Sequence, residues 1–252
     1  MMQWDYLYDE SEKTLAPFFS KPILSYHFRC LIIAGMVLLV MWPRQPFYHF
    51  LEASHAPLLF FQVFAVATIL CSYLSIRCGR GEMVQGDYFS EYYEELPSFE
   101  KERNFFTYGL VGFLLHTAFL TLPYIPILII ATTVSWVSFA LFAKAVIVLY
   151  ASALLCRITG FVLYLLGGRL SYSGYFSARV FIIFYLFATA LFYSRINPLN
   201  IFYGLNKDVK STGSPFDSSF GYYIAAAGIA LCILIFICHF LILRYNNRIK
   251  DA

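Results

Sequence analysis

Charge is the scarcest commodity in this chain: 13% of its 252 residues are Asp, Glu, Lys or Arg, against 60% apolar, where a soluble domain carries about a quarter charged. Runs this apolar cannot all be hidden in one water-soluble core of this length, so lipid is the expected solvent. Other absences narrow the chemistry. No Gly-x-x-x-x-Gly-Lys-Ser/Thr occurs; Lys13-Thr14 and Lys210-Ser211 lack the preceding glycine loop, so the chain encodes no phosphate cradle of its own. Residues 1–22 lack the basic stretch, apolar run and small-residue cleavage site of a secretory leader, so none is expected to be removed. Neither His116 nor His239 has a His, Cys or carboxylate three or four residues away, the spacing that would put two ligands on one helix face. No metal or other cofactor is therefore expected in this chain. His27, His49 and His55 read as interfacial. The basic residues behind the net charge of +3 are dispersed, which argues against a nucleic-acid partner. No internal repeat is evident, as a transporter built from inverted halves would show.

What is present is a series of apolar runs. A hydrocarbon core about 30 Å thick needs about 20 helical residues, which predicts spans at about 28–42, 57–76, 179–193 and 220–243, with a third and fourth sharing 104–166. Pro123 and Pro126 are expected to kink the third span, Thr132-Thr133-Val134-Ser135 to turn the chain, and Gly167-Gly168 to stop a long fourth helix begun near Trp136. Residues 169–178, rich in Ser, Gly and Tyr, read as a connection. Leu15, Phe18, Phe19, Ile23 and Leu24 suit an amphipathic entry helix lying along the interface over about 10–27, interrupted by Pro17 and Pro22.

Charge sets the topology. With six spans and a cytoplasmic N-terminus, Lys13, Lys21, Arg29, Arg77, Arg80, Lys101, Arg103, Arg157, Arg169, Arg179, Arg244, Arg248 and Lys250 fall inside, and only Arg44, Arg195, Lys207 and Lys210 outside. A seventh span would invert the C-terminal cluster. The fold expected is all-α and polytopic, one membrane domain over 1–252 with six transmembrane helices and both termini cytoplasmic. Its largest external loop is 196–219, whose apolar stretch Leu199-Asn200-Ile201-Phe202-Tyr203 can either dip back against the bundle or lie at the surface. The cysteines all fall in spans or on the inner side, as reduced packing residues would. The small residues Ala225, Ala226, Ala227, Gly228 and Ala230 suit close helix packing in the last span. Arg157 is placed near the inner boundary, within reach of phosphates.

Two features suggest function. Lys144 falls inside the fourth span, where an ionisable group is costly unless it faces water, a partner or the interface; it is the candidate polar point on a translocation path. The second feature is the one densely charged segment, 77–103, between the second and third spans. It contains Tyr88, Glu91 and Glu94-Glu95-Leu96-Pro97-Ser98, where a short polar turn would have sufficed as a connector. A docking element is expected there over 87–100.

The set as a whole resembles the permease subunits of the type-2 exporter class of ABC transporters, the ABC-2 type. The likeness rests on the entry helix, the charged segment with its Leu96-Pro97 step, the proline-broken third span followed by Val134-Ser135, the Asn197-Pro198 step after the fifth, and the ending Arg244-Tyr245-Asn246-Asn247-Arg248. In that family the charged segment is the coupling helix seated in the ATPase subunit, which implies Tyr88, Glu91, Glu94, Glu95, Leu96 and Pro97 as the coupling interface. At its entry Gly81-Glu82-Met83-Val84-Gln85-Gly86 departs from the Glu-x-Glu-Gly-Thr-like pattern of many members. The resemblance implies a transport subunit in a bacterial cytoplasmic membrane, with a cytoplasmic ATPase binding ATP and Mg, a second permease chain, identical or sister, and membrane lipid as partners. Two rival readings stand beside it: an integral membrane enzyme such as an intramembrane protease, and a non-transporting scaffold subunit. A paired-glutamate protease motif would want Arg at position 99, which is Phe99.

Overall fold

The computed structural model describes residues 21–40, 42, 58–80, 110–167, 172–189, 197–199 and 218–250. The described residues are helical, with no strand among them. The helices are α1 (Lys21–Val40), α2 (Leu58–Gly79), α3 (Leu110–Thr121), α4 (Tyr124–Val134), α5 (Phe139–Gly167), α6 (Tyr172–Ile183), which continues as a π-helical turn over Phe184–Ala188, and α7 (Ser218–Lys250). Four contain stretches long and apolar enough to cross a membrane: Ile23–Val40, Leu59–Gly79, Phe139–Leu166 and Phe220–Ile242. The pair α3 and α4, bent by 45°, makes a fifth if taken as one broken span.

The break in that pair lies at Leu122 and Pro123, where a kink was expected. Pro123 has no N–H to give to the preceding turn, and the chain re-forms a helix through Ile125 N–H donating to Leu122 O (3.1 Å). Pro126 sits in the first turn of α4, where a missing donor costs little. The following turn lies later than expected. Thr132 and Thr133 remain helical, their hydroxyls donating to Leu128 O (2.6 Å) and Ile130 O (2.9 Å), and the chain reverses over Ser135–Trp136 with Trp136 at φ 54°. Ser138 Oγ then accepts the Leu141 N–H (3.3 Å) at the start of α5.

Two other expectations bear on these helices. Residues 21–27 form the start of α1, one helix from Lys21, with Pro22 in its first turn, where backbone donors have no intrahelical partner, so Pro22 does not interrupt it. The remainder of the expected entry helix lies outside the described residues, as does most of the loop at 196–219. The segment 169–178 is not wholly a connection, because α6 begins at Tyr172 and lines up Ile182 and Leu186 with Ile76 and Cys156 in a buried cluster.

Contacts along the helices give their directions. Tyr26 near the start of α1 meets Arg77 at the end of α2, and Phe113 in α3 meets Phe161 late in α5 (ring centroids 5.0 Å). The α2 and α5 C-terminal halves meet each other, as do those of α5 and α7, where Cys238 and Ile242 pack with Ile158 and Phe161. Ile182 of α6 lies beside Cys156 and Tyr185 is linked to Ser152, so α6 runs against α5. The helical segments therefore alternate in direction. One end of the bundle collects Arg29, Arg77, Arg80 and Arg157.

The centre is the α2–α5 crossing. Helix α2 buries 61% of its apolar window and α7 only 11%, so α2 is the axis and α7 an outer stave. Two glycines set the crossing distance: a Cβ at Gly160 would run into the carbonyl oxygen of Ile76, and one at Gly79 into that of Arg157. Small residues at helix interfaces let backbones approach and gain dispersion contact where lipid supplies no hydrophobic drive. The alanine and glycine set of α7 is divided: Ala227 is buried in the core with Ala230 packed against it, while Gly228 and Ala225 are exposed, and nothing lies within 4 Å of a Cβ at Gly228.

Candidate functional site

The described helices contain no Asp or Glu; all 15 acidic residues of the chain lie in other segments. Counter-charge for cations in the bundle must come from the connections, from lipid or from a bound anion. This matters most at the arginine end. Arg80 and Arg157 are the largest fully buried side chains, each at 0% exposure, and the Arg157 guanidinium lies 5.0 Å from the Phe113 ring centroid. Arg157 therefore does not reach out to phosphates from a boundary position. Ionisable groups inside a span are costly and mark functional sites by default.

Two histidines are buried in the bundle as well. His116 is fully buried, and His27, expected at the interface, is 5% exposed. Phe119 stacks on both, with centroid distances of 6.4 Å to His116 and 6.1 Å to His27, and Tyr124 meets His27 edge-on at 5.8 Å. The bend at Pro123 carries Tyr124 into this contact. Among the described residues no group of three His, Cys, Asp or Glu side chains could hold a metal ion. The cysteines are free thiols, all buried except Cys232; the Cys71 thiol points at Leu120 O (3.8 Å).

A second polar feature joins three helices. Ser152 Oγ donates to Val148 O (2.7 Å) and lies 2.6 Å from Tyr223 Oη, which lies 3.2 Å from Tyr185 Oη. Each hydroxyl has one proton. The chain therefore runs in one sense, Tyr185 donating to Tyr223, Tyr223 to Ser152 and Ser152 to the α5 backbone. Tyr185 stands in the π-helical turn, whose wider hydrogen-bond spacing leaves carbonyls needing other donors. Asn197 supplies one: fully buried, its Nδ2 donates to Leu186 O (2.6 Å) and Thr189 Oγ1 (2.7 Å), while Oδ1 accepts from Leu199 N–H (2.7 Å). The Thr189 hydroxyl donates in turn to Tyr185 O. The Asn197-Pro198 step thus folds back on α6, and Leu199 packs with the buried cluster around Ile76 and Leu186.

Tyr88, Glu91, Glu94, Glu95, Leu96 and Pro97 lie outside the described residues. Their point of attachment does not: α2 ends and α3 begins at the arginine end, so the connection 81–109 leaves and returns there. Lys144 is at the opposite end, in the second turn of α5, half-buried, with Nζ 5.6 Å from the Phe220 ring centroid of α7. It is the only cation at that end among the described residues. Nearby, an open hollow of about 600 Å³ is walled by Ile129, Thr132, Trp136, Val137, Phe139 and Phe142. Its threonine hydroxyls are already committed to backbone carbonyls, so it offers apolar surface and no fixed orientation for a polar substrate.

Sequence reasoning missed the glycine crossing and the hydroxyl chain. A signal existed for the first, since Gly79 and Gly160 sit in helical runs where glycine is unfavourable by about 1 kcal/mol unless close packing requires it. None existed for the second, because Ser152, Tyr185 and Tyr223 share no spacing. No family model matches the sequence, and neither a curated protein nor a solved structure matches it.

Proposed function

We propose that this chain is the membrane-spanning permease subunit of an ATP-driven transporter of the ABC-2 type. It would work with a second permease chain and a separate cytoplasmic ATPase that binds ATP and Mg, and move its substrate outward. The observation that carries the reading is the meeting of α2's end and α3's start at the arginine-rich end of the bundle. The connection between those two helix ends carries the acidic, aromatic sequence with Tyr88, Glu91, Glu94, Glu95, Leu96 and Pro97. Under the positive-inside rule this is the cytoplasmic side. Counting the bent pair α3–α4 as the third span and α6 with its π turn as the fifth gives six spans with both termini cytoplasmic, in keeping with the alternation of the helices.

The mechanics follow from packing. A partner that pulls on 88–100 pulls on α2 and α3 as rods, and α2 is locked to α5 backbone against backbone through Gly79 and Gly160. Motion at the connection would then be passed to α5 and to the Ser152–Tyr223–Tyr185 chain on α6 and α7, as a rigid-body shift. The free energy must come from the partner, because the chain has no phosphate loop.

The test is association and turnover. Glu94→Ala with Glu95→Ala should weaken binding of the cognate ATPase about tenfold or more, the scale of lost charge-assisted contacts, while leaving the bundle's helicity unchanged. The purified chain alone should hydrolyse no ATP. Turnover by the isolated chain, or undiminished ATPase capture by the double variant, would overturn the assignment. Lys144→Leu should leave assembly intact and slow transport in reconstituted vesicles, since it removes the only described cation at the far end; an unchanged rate would remove Lys144 from the path.

A further inference from the structure

We propose that Tyr26 and Arg29 of α1, with Tyr73 and Arg77 of α2, form a clamp for the phosphate of an anionic phospholipid headgroup. The Arg29 guanidinium carbon lies 5.5 Å from the Tyr26 ring centroid, and that of Arg77 lies 5.1 Å from the same ring and 5.4 Å from Tyr73. Two like charges are thus held around one aromatic side chain. Their positions differ in what they already have. Arg77 is in the last turn of α2, where the helix dipole favours a cation. Arg29 is exposed and lies inside the apolar stretch Ile23–Val40, away from either helix end.

An exposed guanidinium on a lipid-facing surface has one abundant counter-ion within reach, the headgroup phosphate towards which a long side chain snorkels. The guanidinium fork matches two phosphate oxygens, and two such groups can share one phosphate. Tyrosine rings beneath the guanidinium groups hold them in place through cation–π attraction and keep their stems out of water. The phosphate's source is lipid because of what adjoins the clamp. From Arg29 towards the far end, α1 exposes Ile32, Ile33, Met36 and Leu39, at 42, 47, 58 and 72%, a continuous apolar track for an acyl chain whose headgroup is gripped above it. A soluble phosphate would use the clamp but gain nothing from the track. The site lies on the outward face of the α1–α2 pair and does not depend on the transport assignment.

The experiment takes the full chain purified in a neutral detergent and counts retained lipid by native mass spectrometry after mixing with phosphatidylglycerol or phosphatidylcholine. Wild type should retain phosphatidylglycerol in preference. The preference should fall about tenfold for each charge-assisted pair removed in Arg29→Gln and Arg77→Gln, and stay at the wild-type level in Arg179→Gln, an exposed arginine on α6. Should the glutamine variants lose helicity, Arg29→Lys and Arg77→Lys carry the test: charge is kept, the fork is lost, and retention should drop severalfold. Equal retention of the two lipids, wild-type preference in the arginine variants, or full displacement of phosphatidylglycerol by an equal concentration of inorganic phosphate would each overturn the proposal.

Discussion

Gly160→Leu is expected to prevent the bundle from closing. A Cβ at this position would collide with the carbonyl oxygen of Ile76 and press on the Arg80 N–H at 3.2 Å. Both are backbone atoms, one in α2 and one in the residue that follows it, and cannot rotate away as a side chain would. Overpacking usually costs about 1–3 kcal/mol; with no soft neighbour, the loss should be at or above roughly 3 kcal/mol. Gly160→Ala and Gly79→Ala should lower the unfolding midpoint in a denaturing-detergent titration, and their combination should cost less than the sum, because one separation of α2 from α5 relieves both collisions. Gly228→Leu is the matched comparison. Its site is open, so the midpoint should hold or rise with the better helix propensity. If Gly160→Leu unfolded like the wild type, the close crossing of α2 and α5 would be wrong.

Asn197→Leu should have the second largest effect. Leucine fits the volume but carries no polar atoms, so Leu186 O loses the donor supplied by Asn197 and Leu199 N–H loses its acceptor, in a place where Asn197 itself has 0% exposure. Each stranded buried group costs about 1–3 kcal/mol, which predicts a loss of about 3 kcal/mol. The π turn would also lose its brace. Tyr185 would then leave the hydroxyl chain, a change readable as faster hydrogen exchange over 184–189. Unaltered exchange there, with an unaltered midpoint, would show that Asn197 does not hold the turn.

The elements most legible in the sequence were those written in local chemistry. Length and apolarity marked α2, α5 and α7 to within a few residues of the stretches long and apolar enough to cross a membrane, and Pro123 marked the bend, because a residue without an N–H interrupts a helix when it falls beyond the first turn. Where a local rule was applied without its position, it misled. Pro22 was read as a break, yet a proline in a first helical turn removes no bond, and α1 runs through it. The turn predicted at Thr132-Thr133-Val134-Ser135 falls later: Thr132 and Thr133 stay in α4, their hydroxyls bonded to carbonyls of the preceding turn, and the chain reverses at Ser135–Trp136. The Ser, Gly and Tyr of 169–178 looked like loop composition, but apolar residues following them recruit the segment into α6 against α2 and α5.

Sidedness was harder still. His27 and Arg157 were assigned by their distance from a span's end, and both proved to be buried, since which face of a helix meets a neighbour is not a matter of depth. The small residues divide the same way. Gly160 and Gly228 are alike as sequence, each in a long apolar helix, yet one is pressed against a carbonyl and the other stands open.

From its residues alone this chain determined that it is helical and apolar enough for a membrane, and that it carries no Gly-x-x-x-x-Gly-Lys-Ser/Thr motif, because span length, proline breaks and motif glycines are properties of contiguous sequence. Only the tertiary structure decided which glycines touch, that Arg157 and the histidines go inward, that three distant hydroxyls form one chain, and that two arginines share a tyrosine. Those outcomes depend on how far each helix is rotated about its axis. That rotation is chosen by the neighbours it packs against, and in lipid no polar face and apolar face announce it beforehand.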